Sequence, residues 1–185
     1  MNATCIEHPY EAPTGRVSDF RQDLACAAQS DVRILITGND GVGKRSVAKA
    51  VHRWSRRRRA PFLTIDCAAT SDALLESKLF GRASGAEGIT GSTRGCLERA
   101  DGGTLFMANI GAMSVRLQTR LLQFLESGEI RRVGDGVRTI VDVRVIAGTD
   151  WNLLAHRSDI RFREDLFYRL NVMHLVIPAL RQPGC

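Results

Sequence analysis

A glycine-rich stretch in the first quarter of the chain has the residue types and spacing of a phosphate-binding loop. It reads GNDGVGK, follows an apolar run that ends at Thr37, and leads into a helical pattern. Glycines let backbone N–H groups turn toward phosphate oxygens, the helix N-terminus adds partial positive charge, and the lysine reaches the β- and γ-phosphates. The predicted phosphate-binding residues are Gly38, Asn39, Asp40, Gly41, Val42, Gly43, Lys44, Arg45 and Ser46.

The residue after Lys44 departs from most such loops, which place there a Ser or Thr whose hydroxyl binds Mg²⁺. Arg45 occupies this position. Ser46 comes one residue later, where a helical side chain points to another part of the helix surface. The loop therefore predicts phosphate binding and leaves magnesium binding in question.

A second stretch, GGTLFMANIG, resembles a strand that should end in acidic residues. Proteins with a phosphate-binding loop usually carry an Asp, often followed by Glu, at the end of a neighbouring strand, where they hold the metal and activate water. Here the strand ends at Ala108 and Asn109. Alanine can do neither task, and the neutral Asn109 amide can hydrogen-bond a water molecule but cannot accept its proton.

Apolar runs rich in β-branched residues predict the strands that must position these residues. Most of the runs are short and nearly unbroken, as in parallel strands buried on both faces. Strands that alternate with helices predict an α/β sandwich. The runs are Val32–Thr37, Pro61–Cys67, Gly103–Ala108, Val141–Thr149 and Asn171–Pro178, and the helical patterns are Ser18–Gln29, Lys44–Ser55, Ser71–Gly81 and Ser114–Gly128.

The ends of the helices and the connections between elements carry their own signals. Ser18 and Ser114 are predicted N-caps, and Gly128 is predicted to end its helix in the left-handed conformation. A Gly-Asp-Gly turn predicts a β-hairpin insertion within Glu129–Ile140. The glycine-rich segment Gly81–Gly95, which has no apolar stripe, is predicted to be a long loop.

Composition excludes several classes of protein. Hydrophobic residues make up 44% and charged residues 25% of the 185 residues, which argues against disorder. No apolar run reaches the ~20 residues that span a bilayer, and the N-terminus has no signal-peptide pattern, so a cytoplasmic location is predicted. The net charge is +6, and we interpret the densest basic run, Arg56–Arg59, as a solvated loop.

Cysteine and histidine spacing gives no support for a disulfide framework or a metal site. The five cysteines are scattered without a CxxC pair, which suits reduced thiols. The four histidines are isolated from one another and from the cysteines, and each is expected to be structural or exposed.

Six segments together resemble the central AAA+ domain of sigma-54-dependent transcriptional activators, the bacterial enhancer-binding proteins. The segments are LITGNDGVGK, LLESKLFG, ERADGGTLF, QTRLLQFLESGEIRRVG, VDVRVIAGT and FREDLFYRLNV. The resemblance covers residues 18–181 as an AAA+ α/β subdomain, and leaves residues 1–17 as an N-terminal extension and residues 182–185 as a C-terminal tail.

The resemblance implies a P-loop NTPase three-layer sandwich with five parallel strands in the order 5-1-4-3-2. It implies ATP as the ligand, a ring of subunits with ATP at their interfaces, and sigma-54 RNA polymerase as the partner that is remodelled. Thr149 lies in the strand that resembles the γ-phosphate sensor. Arg163 and Arg169 match the two arginines presented to the ATP of a neighbouring subunit. From the residues alone, a surface helix with ion pairs to Glu164 and Asp165 is the alternative.

The chain departs from the family where the chemistry lies. The family has Asp-Glu where Ala108 and Asn109 stand, so this Walker B motif is degenerate. The family also has an Asn where Asp66 stands, and Asp66 is a candidate substitute for a missing acid. The polymerase-contact loop lacks the family's Gly-Ala-Phe-Thr-Gly-Ala motif, offering Gly85-Ala86 in one register or Ile89–Ser92 in another. Productive engagement of sigma-54 is therefore not expected.

No helical lid follows Pro178, and no helix-turn-helix is found, so specific DNA contact is not expected. Three hypotheses stay open. The chain is an ATP-binding regulator with impaired or no hydrolysis, which joins a ring of itself or of intact relatives. Alternatively it is an active ATPase that compensates for the lost acids, or a non-functional truncated remnant.

Overall fold

The computed structural model describes residues 17–84, 91–134, 137–150 and 162–177. In this part of the chain helices alternate with strands, as the sequence predicts. The helices are α1 Val17–Gln29, α2 Lys44–Trp54, α3 Asp72–Phe80, α4 Cys96–Arg99, α5 Val115–Ser127 and α6 Glu164–Leu170, with a 3₁₀ turn at Ile110–Ala112. The strands are β1 Ile34–Thr37, β2 Phe62–Asp66, β3 Gly81–Arg82, β4 Thr93–Arg94, β5 Thr104–Ala108, β6 Glu129–Arg131, β7 Arg138–Ile140, β8 Arg144–Thr149 and β9 Met173–Val176.

A five-stranded parallel sheet in the order β2-β5-β8-β1-β9 forms the middle of the domain. Counted along the chain, this is the order 5-1-4-3-2, and the fold prediction is confirmed. The three central strands β1, β5 and β8 are almost fully buried, whereas the edge strands β2 and β9 are half-buried. The carboxyl ends of β1 and β8 lie side by side, since Thr37 pairs with Thr149.

Helices cover both faces of the sheet and make it a three-layer sandwich. Alternate residues of each strand face opposite sides, and two separate apolar cores result. One core lies under α1 and α2 and includes Leu24, Ala27, Ile34, Ile36, Ala48, Val51, Phe106 and Ile146. The other lies under α3 to α6 and includes Leu35, Leu75, Leu79, Leu97, Leu105, Met107, Leu117, Leu121, Val145 and Leu166.

The predicted ends of α5 are confirmed, and the predicted start of α1 is wrong. The Ser114 hydroxyl accepts a hydrogen bond from the Leu117 amide, and Gly128 ends α5 with φ 70° and ψ 1°. The first helix already begins at Val17, so Ser18 lies inside it and is not its N-cap. Capping preferences place a helix start only to within one or two residues, because helix ends fray.

The hairpin insertion is confirmed, and the loop over Gly81–Gly95 is shorter than predicted. Strands β6 and β7 pair antiparallel, with Ile130 opposite Thr139. The ends of the predicted loop pair as the short strands β3 and β4. The candidate polymerase-contact residues at positions 85–90 lie outside the described residues.

The interpretation of the arginine run as a solvated loop is wrong for Arg57. Its guanidinium donates to both Asp31 and Asp142 and to the carbonyl of Gly103, and its side chain is only 14% exposed. Arg56, Arg58 and Arg59 are exposed as expected. Composition could not single out Arg57, because its partners come from distant loops that meet at one end of the sheet.

Within the described residues, no helix is both long and apolar enough to cross a membrane.

Candidate functional site

The glycine-rich loop joins the end of β1 to the start of α2. Gly43 directly precedes α2 and has φ 94° and ψ 28°, in the left-handed region that a residue with a side chain adopts only at a cost. Gly38 lies close to its surroundings, since an added Cβ would be 3.0 Å from Val42 Cγ2 and 3.2 Å from Ile177 Cβ. The first amide groups of α2 have no carbonyl partner within the helix and are free to bind an anion.

Lys44 is folded back over the loop. Its Nζ donates to the carbonyl oxygens of Gly38 at 2.7 Å and Asn39 at 3.1 Å, and it lies 3.4 Å from Asp40 Oδ1. The Lys44 side chain is 10% exposed, whereas that of Asp40 is 87% exposed. A phosphate group at Lys44 would compete with these carbonyl oxygens and would lie beside the Asp40 carboxylate.

The base of the loop rests on the edge strand β9. The buried hydroxyl of Thr37, the last residue of β1, lies 2.8 Å from His174 Nε2. Burial lowers the pKa of His174 below its ordinary value, so the neutral imidazole is favoured. Directly after β9, the Ile177 amide donates to the Thr37 carbonyl at 2.8 Å.

Arg45 and Ser46 lie on the first turn of α2, and both are exposed. No acidic residue lies in this first turn. Two cationic side chains, those of Lys44 and Arg45, therefore stand in succession at the positive end of the helix dipole.

The end of β5 meets the end of β2, because Asp66 pairs with Ala108 in the sheet. Asn109 has φ 52° and ψ 45°, a left-handed conformation that Asn tolerates better than most residues. Its Nδ2 donates to Asp66 Oδ1 at 3.0 Å, and the Ala68 amide donates to the same oxygen at 2.9 Å. The structure thus brings the candidate residues Asp66 and Asn109 into contact, with the carboxylate on β2 and the amide directly after the end of β5.

Thr149 ends β8 beside the base of the glycine-rich loop. Its side chain is buried, and its hydroxyl donates to Asp150 Oδ1 at 3.4 Å. Thr149 pairs with Thr37, so the predicted sensor position adjoins the strand that leads into the loop. Its role as a sensor stays a prediction.

Comparisons with known proteins agree with this geometry. The model of the sigma-54 interaction domain family matches residues 12–176. The chain belongs to this family. This family comprises the AAA+ domains of bacterial enhancer-binding proteins.

Relatives of this sigma-54 interaction domain are longer than the chain itself. The nitric oxide reductase transcription regulator NorR2 of Cupriavidus necator is 44% identical over 169 residues, which are 91% of this chain and 32% of that protein. The regulatory protein AtoC of Escherichia coli is 45% identical over 164 residues, which are 88% of this chain and 36% of that protein. The chain thus spans about a third of the length of these curated relatives.

Crystal structures of NtrX from Brucella abortus share the fold. One has a TM-score of 0.83 and 35% identity, and covers 92% of this chain and 38% of that chain. Another, in complex with ATP, has a TM-score of 0.80 and 35% identity, and covers 94% of this chain and 39% of that chain.

The two candidate arginine fingers of the sigma-54 interaction domain pair within their own chain: Arg163 directly precedes α6 as its N-cap residue, and Arg169 lies in the last turn of α6. Arg163 makes two hydrogen bonds to Asp165, at 3.0 and 2.7 Å, and a third to the Thr119 hydroxyl at 3.3 Å. Arg169 lies 3.5 Å from the Glu126 carboxylate on α5. These partners belong to α5 and α6 rather than to the glycine-rich loop, and Glu126 replaces the Glu164 that the sequence suggested.

Sequence reasoning missed the Thr37–His174 pair and the Asp66–Asn109 contact. Thr37 carries a weak signal, since it directly precedes Gly38. His174 carries none, because an isolated histidine in an apolar run has no recognisable partner. Across the described ranges, no group of three or more His, Cys, Asp or Glu residues is placed to hold a metal ion.

Proposed function

We propose that the chain is an ATP-binding domain of transcription regulation in the sigma-54 activator class, with impaired or no ATP hydrolysis. The observation that carries this proposal is the end of β5, where Ala108 and Asn109 replace the carboxylates that would hold Mg²⁺ and polarise water.

The glycine-rich loop supports the binding half of the proposal. Gly43 opens α2 in the left-handed conformation, and the Lys44 ammonium is engaged, among the described residues, by loop oxygens alone. The donor set therefore fits a nucleotide polyphosphate, with Lys44 and the first amides of α2 as the groups that would hold it. Related NtrX structures with ADP and ATP, 37% and 35% identical, point to the same ligand.

The surroundings of Asn109 support the other half. A hydrolytic water needs a group that orients it and accepts its proton. The Asn109 amide is neutral, and its Nδ2 is committed to Asp66. Ala108 carries no polar side-chain atom at all. What remains for the chain's own residues is binding and orientation of the nucleotide by the glycine-rich loop.

The proposed partners follow from family membership and from the two arginines at the start and the end of α6. We propose assembly into a ring with copies of the chain or with intact relatives, in which Arg163 and Arg169 act on a neighbour's nucleotide. Exchange of their intrachain partners Asp165 and Glu126 is required, and both pairs are partly exposed, so little free energy opposes the exchange. Sigma-54 RNA polymerase is the target that family membership implies for such a ring, and intact relatives in a mixed ring would supply the contact loop whose motif this chain lacks.

Binding and hydrolysis are tested on one purified sample. We expect ATP to raise the melting temperature by a few degrees, since a ligand of the native state stabilises by mass action. The Lys44→Ala variant should lose this shift. Release of radioactive phosphate should stay at background, even at protein concentrations high enough for a ring to assemble.

A paired reversion gives the sharper control. In Ala108→Asp with Asn109→Glu, we expect phosphate release to appear, and a further Lys44→Ala change to abolish it. Turnover by the unaltered chain at the level of an intact family member would overturn the proposal. The absence of a cooperative unfolding transition would instead favour a non-functional remnant.

One observation favours a second candidate, an active ATPase that remodels the sigma-54 polymerase. Asp66 pairs with Ala108 at the end of β5, and its Oδ2 has no hydrogen-bond partner among the described residues. If this oxygen accepts the proton of water, Asp66→Asn abolishes measurable turnover. Background turnover in the unaltered chain removes this candidate.

A further inference from the structure

A cationic side chain stands where a metal ligand is usual. Arg45 directly follows Lys44, on the first turn of α2, and its side chain is exposed. At this position most phosphate-binding loops carry a hydroxyl that binds Mg²⁺. Over the described part of the chain, no carboxylate pairs with Arg45, so its guanidinium is available to a ligand.

The oxygen atoms around the loop do not fit a magnesium ion. Mg²⁺ requires oxygen ligands in near-octahedral geometry, usually with one or two carboxylates from the protein. Ala108 offers none at the end of β5. Asp66 lies beside β5, but its Oδ1 accepts hydrogen bonds from Asn109 and Ala68, so at most its Oδ2 is left for a metal. Asp40 faces the ammonium of Lys44.

Charge opposes a metal ion at the same place. The loop presents two adjacent cationic side chains and the positive end of a helix dipole, with no acidic residue in the first turn of α2. A divalent cation bound between Arg45 and Lys44 would be repelled by both. A metal-free triphosphate carries more negative charge than its magnesium complex, and the same field attracts it more strongly.

We propose that the loop binds the nucleotide triphosphate without a divalent cation, and that Arg45 supplies the positive charge that Mg²⁺ supplies in related sites. A guanidinium suits this task because its planar fork of N–H donors binds two phosphate oxygens at once. The inference rests on the proposed nucleotide site. It deepens that proposal by naming the metal-free nucleotide as the ligand.

The test is ATP binding by titration calorimetry, in EDTA and in excess Mg²⁺. For the unaltered protein we expect the affinity in EDTA to equal or exceed the affinity in Mg²⁺. Arg45→Thr restores the usual hydroxyl, and we expect it to weaken binding in EDTA about tenfold, the loss of a charge-assisted hydrogen bond. The same variant should bind ATP more tightly in Mg²⁺ than in EDTA.

Two further variants separate a specific role from general charge and folding effects. Arg53→Thr removes an exposed arginine from the last turn of α2 and should leave both affinities unchanged. Arg45→Lys keeps the positive charge without the planar fork of donors. Its affinity for ATP in EDTA should lie between those of the unaltered protein and of Arg45→Thr. Melting temperatures without ligand confirm that each variant is folded.

The outcomes are distinguishable. If the unaltered protein binds ATP at least tenfold more tightly in Mg²⁺ than in EDTA, the inference is overturned but the proposed nucleotide site stands. Equal losses in Arg45→Thr and Arg53→Thr also overturn it, because Arg45 then acts only as surface charge. No binding in either buffer, by a protein that unfolds cooperatively, overturns the nucleotide site itself and the inference with it.

Discussion

At the scale of single residues, Asp40 is the group in the loop that works against an anionic ligand. Its carboxylate lies 3.4 Å from Lys44 Nζ and is 87% exposed. A bound phosphate must share Lys44 with this like charge. We expect Asp40→Asn to strengthen ATP binding by about two- to fivefold, a modest gain because solvent screens an exposed charge.

Calorimetric titration of this variant beside Asp23→Asn checks the expectation. Asp23 is an exposed aspartate on α1, outside the loop, and its removal changes the net charge by the same amount. Equal gains in the two variants would mean that only net charge matters, and weaker binding in Asp40→Asn would contradict the argument.

The sequence predicts the identity of the site residues better than their contacts. The glycine-rich motif between a strand and a helix identifies Lys44 and the loop. The position of the next motif, at the end of a neighbouring strand, identifies Ala108 and Asn109. The Asp66–Asn109 hydrogen bond does not, because it joins residues 43 positions apart and depends on the register of β2 against β5. That register is set by packing of the whole sheet rather than by local pattern.

At the scale of elements, Arg57 ties together three connections at the amino ends of the strands. It contacts Asp31 before β1, Gly103 before β5 and Asp142 before β8. Its hydrogen bond with Asp31 raises the pKa of Arg57, and the guanidinium stays charged. Truncation would leave the exposed carboxylates of Asp31 and Asp142 without their partner, and the buried Gly103 carbonyl would keep only its bond from the Arg144 amide.

We expect Arg57→Ala to lower the free energy of unfolding by about 1–3 kcal/mol. The lower end applies if water replaces the hydrogen bonds that the carboxylates of Asp31 and Asp142 lose, since these side chains are 53% and 75% exposed. Urea unfolding measures the change, and the adjacent Arg58→Ala, which removes an exposed arginine, should stay within about 0.5 kcal/mol of the unaltered protein. A matching loss in Arg58→Ala would show that the network is dispensable.

The elements themselves are largely predictable. Apolar runs predict all five strands of the sheet, and a serine cap and a terminal glycine place α5. The short β3–β4 ladder is not predictable, because its strands are two residues long and exposed in β4. Such pairing is held by neighbouring structure and leaves no periodic pattern in the sequence.

At the scale of the whole molecule, the buried His52 and the half-buried His174 make stability depend on pH. His52 Nδ1 lies 3.0 Å from the Thr104 hydroxyl, where α2 packs on β5, and His174 joins β9 to β1 through Thr37. Burial lowers the pKa of both; for His52 a hydrogen bond to the backbone of Ala60 opposes this effect, and the charge of Arg144 adds to it. The unfolded chain therefore binds protons more readily than the folded one.

It follows that stability falls as the pH drops through 6.5, the ordinary pKa of histidine, and continues to fall until the lowered folded pKa values are reached. We expect melting temperatures to be constant between pH 8 and 7 and to decrease from pH 7 to 5.5. Carboxylates contribute little in this range, since their ordinary pKa values lie near 4.

A double variant, His52→Gln with His174→Gln, tests the assignment. Glutamine keeps a hydrogen-bonding group near each threonine and cannot titrate, so the variant should lose stability at pH 8 through altered packing yet show a flatter profile down to pH 5.5. A profile parallel to that of the unaltered protein would place the titrating group elsewhere.

Since His174 and Thr37 lie at the base of the glycine-rich loop, we expect the His174→Gln change alone to weaken ATP binding as well. His52→Gln, at the far end of α2, should leave ATP binding unchanged.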